Sequence, residues 1–242
     1  MTTERHHIHV SGISVEVVRK DIKNLHVGVY PPTGRVRVAA PLRLDDEAVR
    51  LVVVSRLGWI RRKQALFEQQ DRQSEREMVT GESHYYRGCR YRLHVVEQDG
   101  RPDVCLANNT TIKLRVRPGT PAAKRRDVLK QWYRKRLREQ IVPLITKWEP
   151  RVGVAVAEVR IRKMKTRWGS CNTVARRIWL NLELVKKPPL CLEYVLVHEL
   201  IHLLERHHND RFRELMDGLM PKWRLHHEEL KRAPLGHVDW EY

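Results

Sequence analysis

Hydrophobic and polar residues alternate in short runs through much of the first half of the chain. A two-residue period of this kind is typical of β-strands. The runs cover residues 13–17, 26–30, 35–38, 83–87, 91–96, 104–106 and 111–116. From Asp45 to about residue 70, by contrast, valine, leucine and isoleucine recur at helical spacing. The pattern therefore predicts a β-rich N-terminal layer with one long helix.

Helical spacing dominates the second half of the chain. An apolar stripe covers residues 122 to about 148, and the alternation between residues 152 and 184 predicts a small sheet after it. Residues 194–204 are apolar on nearly every side, so the helix that they form should be buried. A last helical stretch, interrupted near Pro221, is expected over residues 211–232. The predicted order is therefore helix, small sheet, buried helix and C-terminal helix.

Pro118-Gly119-Thr120-Pro121 is the strongest interruption in these patterns, because proline and glycine together favour turns and end regular structure. It divides the chain into a β-rich N-terminal region, residues 1–118, and a second domain, residues 119–242. No internal repeat is visible in the sequence. The predicted fold class is α+β.

The buried helix carries the pattern His-Glu-x-x-His at His198, Glu199 and His202. Residues four apart lie on one face of a helix, so the two imidazoles can bind one metal ion. Glu199 follows the first histidine directly and can turn its carboxylate towards a metal-activated water. Burying such groups without partners costs about 1–3 kcal/mol each, and a metal ion would satisfy them. The alternative is a chance match in an ordinary core.

A catalytic zinc ion usually has three protein ligands and one open position. His208 lies six residues after His202, but an unbroken helix would carry it too far along the axis to share their ion. The chain should therefore turn near residues 206–208, and Asn209-Asp210 is suited to cap a new helix. His207 is a weaker candidate for the third ligand. Other candidates are Glu193, Glu214, Glu228 and Glu229, with His226, His227 and His237 ranked below His208.

Four ordered segments surround and include this pattern. They are Arg167-Trp168-Gly169-Ser170-Cys171, Ile178-Trp179-Leu180-Asn181, Tyr194-x-x-x-His198-Glu199-Leu200-x-His202 and His208-x-x-x-Phe212. Their combination resembles the YgjP-like metallopeptidases, which are related to SprT-like proteases. The resemblance is clearest over residues 156–223 and extends more loosely back to about residue 20. Glu205-Arg206-His207 and residues 173–177 depart from the expected pattern without touching the ligand positions.

The resemblance implies that His198, His202 and His208 bind zinc and that Glu199 is the catalytic glutamate. It also implies that the helix, small sheet, motif helix and C-terminal helix form a zincin-like core. The expected function is that of a zinc-dependent metallopeptidase, which hydrolyses peptide bonds by a zinc-activated water with Glu199 as general base. Tyr194, one turn before the motif, is a weak candidate for stabilising the oxyanion and is expected to be a packing residue.

Substrate contacts are expected from the strand that precedes the motif helix. Gly169 lets another backbone approach closely, so an extended peptide could pair with the sheet at Trp168, Gly169 and Ser170. Two other functions stay open. One is a metal-dependent hydrolase of a non-peptide amide or ester, and the other is a basic nucleic-acid-binding protein with a structural metal site.

Composition adds a possible partner and a compartment. Lysine and arginine number 47 against 29 acidic residues, and the net charge of +18 favours polyanions, including non-specific nucleic acid, although no nucleic-acid-binding module is recognisable. The four cysteines lack Cys-x-x-Cys spacing, which suits a reducing cytosol. No run approaches the about 20 apolar residues of a membrane span. We therefore expect a cytoplasmic protein without a membrane partner, and the oligomeric state stays open.

Overall fold

The computed structural model describes residues 5–30, 33–69, 77–164 and 167–232. The chain forms two compact units, Met1–Gln73 and Ser74–Tyr242. Both helices and small sheets are present, which confirms the α+β class. No helix in the described part of the chain combines the length and the apolar character that crossing a bilayer requires.

The first unit is built on a four-stranded sheet in the order β1-β2-β4-β3. Its strands are β1 (Arg5–Val10), β2 (Ile13–Lys20), β3 (His26–Tyr30) and β4 (Arg35–Pro41). The two central strands are parallel and both outer pairs are antiparallel. Valines at alternate positions of these strands form the core, together with Val49, Val53 and Ile60 of the helices that follow.

The single long helix predicted after residue 45 is wrong, because the structure has two helices, α1 (Asp46–Ser55) and α2 (Leu57–Gln69). Arg56 ends α1 with φ of −108° and ψ of 7°, and its backbone N–H donates to Val53 O at 3.1 Å. The β-branched residues before this point and Gly58 after it all have low helix propensity. The break therefore falls where the sequence supports a helix least.

The second unit begins with a sheet of the same topology, in the order β5-β6-β8-β7. Its strands are β5 (Ser83–Tyr86), β6 (Cys89–Glu97), β7 (Asp103–Asn108) and β8 (Thr111–Val116). Again the central pair is parallel and the outer pairs are antiparallel. The repeated topology had no counterpart in the sequence analysis, because strand order depends on non-local pairing that alternation alone does not encode.

Helix α3 (Ala122–Val152) follows this sheet and stays continuous through Pro143. Its buried residues, including Trp132 and Leu137, belong to the same hydrophobic core as Leu93 and Ile112 of the strands. The compact units consequently divide between residues 73 and 74, and residues 77–116 pack with the helix that follows them. The division expected at residue 118 stays a prediction about independent folding.

The remaining elements surround the histidine motif. They are β9 (Glu158–Arg162), β10 (Gly169–Asn172), β11 (Arg177–Asn181), a 3-10 helix (Leu182–Lys186), α4 (Pro189–Ile201), α5 (Asp210–Leu219) and α6 (Trp223–Arg232). The three strands form a sheet in the order β10-β11-β9, so β10 lies at one edge. Every residue of α4 from Cys191 to Ile201 is buried except His198, which is partly exposed. This confirms the prediction of a buried motif helix.

Candidate metal centre

Three histidine rings meet at the end of α4. His198 lies in its last turn, His202 caps the helix, and His208 follows after a turn of the chain. The Nε2 atom of His198 lies 3.2 Å from that of His202 and 3.0 Å from that of His208. The possible ligand atoms of all three residues lie within 4.8 Å of one another. Such a cluster can hold one metal ion.

The chain reaches this arrangement because α4 ends at the motif. Leu203 N donates to Leu200 O at 3.0 Å, a tighter turn than that of an α-helix, and the chain then leaves the helix axis. Asn209 Oδ1 accepts from Phe212 N at 3.0 Å and starts α5. The predicted turn and the predicted cap are both confirmed. Together they place His208 beside His198, where a continuous helix would not.

Neighbouring groups hold the rings in fixed orientations. His202 Nδ1 lies 3.1 Å from Glu205 O, and if it donates to this carbonyl its Nε2 is left as the metal-binding nitrogen. The buried ring of Phe212 lies 4.9 Å from His198, 4.9 Å from His202 and 4.7 Å from His208 between centroids. Phe212 therefore supports all three imidazoles, a role that the sequence pattern did not reveal.

The protonation states suit a metal site. Burial, followed by the neighbouring rings of His202 and His208, lowers the pKa of His198 to about 3. Burial also lowers the pKa of His202 below its usual value. Both imidazoles are therefore neutral near pH 7, as metal ligands must be. Three imidazoles are a donor set that zinc accepts readily, so the residues fit the expected ion.

Glu199 is a buried carboxyl beside this cluster, with 5% of its surface exposed. Burial raises its pKa to about 8, although the positive charge of Arg167 acts against that shift. Within the described residues, Glu199 Oε2 has no hydrogen-bond partner. A buried carboxyl oxygen without a partner is costly, which makes Glu199 a candidate for a reacting group.

Gly169 makes room for this carboxyl. A Cβ atom added at Gly169 would lie 2.8 Å from Glu199 Cγ and 2.8 Å from Val195 Cγ1, closer than real contacts allow. The glycine is therefore required by the neighbouring helix α4. This close approach differs from the expected one, in which the glycine accommodates a substrate backbone.

The three histidines, Glu199 and Gly169 all line one cavity of about 520 Å³. The three predicted substrate contacts, Trp168, Gly169 and Ser170, all line it. Other lining residues are Arg167, Cys171, Tyr194, Val195, His198, Glu199, His202, His208, His227 and Leu230. Burial raises the pKa of the Cys171 thiol to about 11, and Cys171 is not part of the cluster of possible metal ligands found in the described residues.

Asn181 organises the loop that leads into this wall of the cavity. Its fully buried side chain donates to Met164 O and Arg167 O, both at 2.8 Å, and accepts from Glu183 N at 3.2 Å. Its backbone N–H donates to Trp168 O at 2.9 Å. The sequence marked Asn181 only as part of a pattern, whereas the structure shows that it fixes the segment before β10.

Among the described residues, the other candidates for the third ligand lie outside this cluster. Glu193 accepts from Lys147 Nζ at 2.6 Å and from Trp148 Nε1 at 2.7 Å, so it links α4 to α3. Glu214, Glu228 and His207 are exposed, and the metal-site cluster found in the described residues contains none of the alternatives. His237 lies outside the described residues. Geometry therefore favours His208 as the third ligand.

Helix α6 adds two cavity residues that the sequence analysis did not place there. His227 and Leu230 both line the cavity, although His227 ranked among the weakest candidates for the site. The sequence contains one signal for this position, because Trp223, His227 and Leu230 are spaced so that they lie on the same face of a helix. The position of that face over the cavity depends on how α6 packs.

Comparison with protein families gives an independent result. The profile described as YgjP-like, metallopeptidase domain, matches residues 23–233. A comparison with curated proteins found no match. The family match extends over most of the chain and includes the histidine cluster, Glu199 and the β10 segment. The chain therefore belongs to the YgjP-like metallopeptidase domain family.

Proposed function

We propose that this protein is a zinc-dependent peptidase in which His198, His202 and His208 hold the metal and Glu199 is the general base. The observation that carries this proposal is the meeting of three imidazoles within 4.8 Å beside a buried carboxyl that has an oxygen without a partner. We also propose that α3, the small sheet, α4 and the C-terminal helices form a zincin-like core. The metallopeptidase family of the chain supports both proposals.

The residues divide the chemistry between them. When bound, zinc would lower the pKa of a water molecule and polarise the scissile carbonyl. Glu199 would take a proton from the attacking water and deliver it to the leaving nitrogen. Burial raises the pKa of this carboxyl in the metal-free protein, and a carboxylate that accepts a proton readily is suited to act as a general base. Trp168 and Leu230 add apolar surface to the cavity.

The edge strand β10 offers a place for the substrate backbone. Asn181 N donates to Trp168 O, and the pairing of β10 with β11 continues this register. Because hydrogen-bonded and non-hydrogen-bonded pairs alternate, the backbone groups of Gly169 and Cys171 face away from β11. An extended peptide could pair with them through main-chain hydrogen bonds. Unfolded or flexible protein segments are the substrates that fit such an edge.

Glu199→Gln tests the catalytic role. Glutamine keeps the size of the side chain but cannot accept the water proton, so hydrolysis of an unfolded protein should fall about 10²-fold or more. Zinc content, measured by elemental analysis, should stay at one ion per chain. Full turnover by this variant would assign the base to another residue, and loss of zinc would make Glu199 a ligand.

His208→Ala tests the third ligand, with His207→Ala as the matched control. The first variant should lose most of its zinc affinity, whereas the second should bind zinc as the wild type does, because His207 lies outside the cluster. Titration with a competing chelator measures both affinities. Unchanged zinc affinity in His208→Ala would show that another residue completes the site.

Assays of the wild-type protein with different substrates can show whether it acts on peptides or on a non-peptide amide or ester. Peptides methylated at the backbone nitrogens that face β10 should be cleaved more slowly than their parents, because methylation removes the hydrogen bonds of strand pairing. Equal rates for both would argue against pairing at this edge. Turnover of simple esters and amides without any cleavage of peptides would favour the non-peptide hydrolase.

A further inference from the structure

Helix α6 contributes a histidine to the cavity that is not part of the metal cluster. His227 lines the same cavity as His198 and Glu199, yet the cluster of possible ligands contains only His198, His202 and His208. Its side chain is 41% exposed, so a bound substrate can reach it.

Aromatic neighbours hold the His227 ring. Its centroid lies 6.1 Å from that of Tyr194 and 6.0 Å from that of Trp223. Tyr194 and Trp223 stack on each other at 6.1 Å with an angle of 8° between their planes. Tyr194 also contacts the His198 ring, with a centroid distance of 5.9 Å. The series of rings therefore connects His227 to the metal cluster.

Contacts on both sides of His227 fix α6 against the rest of the unit. On the N-terminal side of His227, Trp223 Nε1 donates to Asp217 Oδ1 at 2.8 Å. On its C-terminal side, Leu230 is buried in the core. The Cys191 thiol of α4 donates to Glu229 Oε2 at 3.3 Å. A hydrogen-bond donor held in this way needs little reorganisation during a reaction, which is the condition for effective electrostatic stabilisation.

Glu199 and His227 line the cavity from two different helices, α4 and α6. Glu199 lies against Gly169 of β10, whereas His227 projects from α6. A peptide paired with β10 would therefore lie next to the general base, and His227 could contact it from α6. Tyr194 is a weaker candidate than His227 for donating a hydrogen bond to the substrate, because it is buried among three rings.

We propose that His227 stabilises the negative charge that develops on the scissile carbonyl oxygen, an inference that rests on the proposed peptidase function. As the water oxygen bonds to the carbonyl carbon, the C=O π electrons move onto the oxygen. A ring N–H of His227 donates a hydrogen bond to that oxygen. When the carbonyl forms again, the C–N bond breaks and the nitrogen leaves with the proton that Glu199 delivers. His227 transfers no proton in this sequence.

Two substitutions at His227 separate hydrogen bonding from packing. His227→Phe keeps an aromatic ring beside Tyr194 and Trp223 but removes the N–H donor, whereas His227→Gln keeps a donor and removes the ring. We expect His227→Phe to lower kcat on the order of 10²-fold with little change in KM, and His227→Gln to retain clearly more activity. A residue needed only for packing would give the opposite order. His226→Phe is the matched control, because His226 does not line the cavity.

Binding of a transition-state analogue gives a readout independent of turnover. A phosphinic peptide imitates the tetrahedral oxyanion, so its affinity, measured by calorimetry on the zinc-loaded protein, should fall in His227→Phe roughly in proportion to kcat/KM. Affinity for a small hydroxamate, which binds through the metal, should change little. Zinc content and melting temperature should match those of His226→Phe.

The outcomes separate this inference from the function on which it rests. Wild-type kcat and wild-type phosphinic-peptide affinity in folded His227→Phe would overturn the role of His227 and leave the peptidase function intact. Loss of zinc from His227→Phe would also overturn it, because His227 would then be a ligand. Wild-type hydrolysis no faster than that of Glu199→Gln would overturn the peptidase function, and the role of His227 with it.

Discussion

Gly169 and Glu199 show how one residue can depend on another in a different element. A Cβ at position 169 would press on Glu199 Cγ at 2.8 Å. Gly169→Ala should therefore displace the carboxyl and lower kcat by roughly 10- to 100-fold, since small misplacements of reacting groups are costly. Zinc content should be unchanged. Gly218→Ala is the control, because a Cβ there meets nothing within 4 Å. Equal kcat in the two variants would contradict the steric account.

The buried Glu199 carboxyl should also affect the stability of the metal-free protein. Burial raises its pKa from 4.5 to about 8, so the folded state binds this proton more tightly than the unfolded state does. The resulting stability is present below pH 4.5 and is lost as the pH rises through about 8. Metal-free Glu199→Gln should thus resist urea about as well as the wild type at about pH 5 and better at about pH 9. A difference that does not grow with pH would contradict the raised pKa.

At the residue scale, spacing predicted the motif but not its surroundings. His198 and His202 had to share a face once the helix was assigned, and the turn that brings in His208 followed from helix geometry. The support from Phe212 and the position of His227 could not be predicted in this way. Both depend on how α5 and α6 pack on α4, which a single sequence does not specify.

Asn181 connects two elements, the segment before β10 and the end of β11. Its side chain bonds to backbone groups of Met164, Arg167 and Glu183. Asn181→Leu would remove a hydrogen-bond partner from each of these backbone groups, at about 1–3 kcal/mol for each group that stays shielded from water. We expect a loss of several kcal/mol in urea unfolding. Asn172→Ala, which removes one exposed bond to Ala175 N at 2.9 Å, should lose much less. Equal losses would contradict the role of Asn181.

The sequence predicted which helices and strands are present better than it predicted where each begins and ends. Strands β2–β8 and helices α3 and α4 fall close to their predicted positions, because alternation and helical spacing are local signals. The break at Arg56 was missed, since the apolar residues on both sides of it keep nearly the same helical phase. β1 was also missed as a separate strand. Its polar residues His7 and His9 are exposed, and its pairing with β2 supplies the stability that its composition does not.

The net charge of +18 belongs to the whole molecule. If it binds nucleic acid, affinity for DNA should vary little with sequence and fall linearly with salt on a log–log plot. Lys124, Lys135 and Arg138 of α3 are exposed and share one face of the helix. Replacing all three with Gln should make the slope of log affinity against log salt concentration less steep, by up to about 0.9 for each phosphate that the variant no longer neutralises. A flat salt dependence, or no binding at low salt, would remove nucleic acid as a partner.

Two fragments test which part of the chain folds independently. Residues 74–242 contain the second compact unit with its complete core, so this fragment should unfold cooperatively and bind one zinc ion per chain. Residues 119–242 lack the strands that bury Leu93, Ile112 and Leu114 in that core. Their loss exposes the facing surface of α3, so the shorter fragment should have no cooperative thermal transition. Circular dichroism and elemental analysis measure both properties. A folded, zinc-binding 119–242 would instead support the division near residue 118, and failure of residues 74–242 to fold would show that the second unit requires the first.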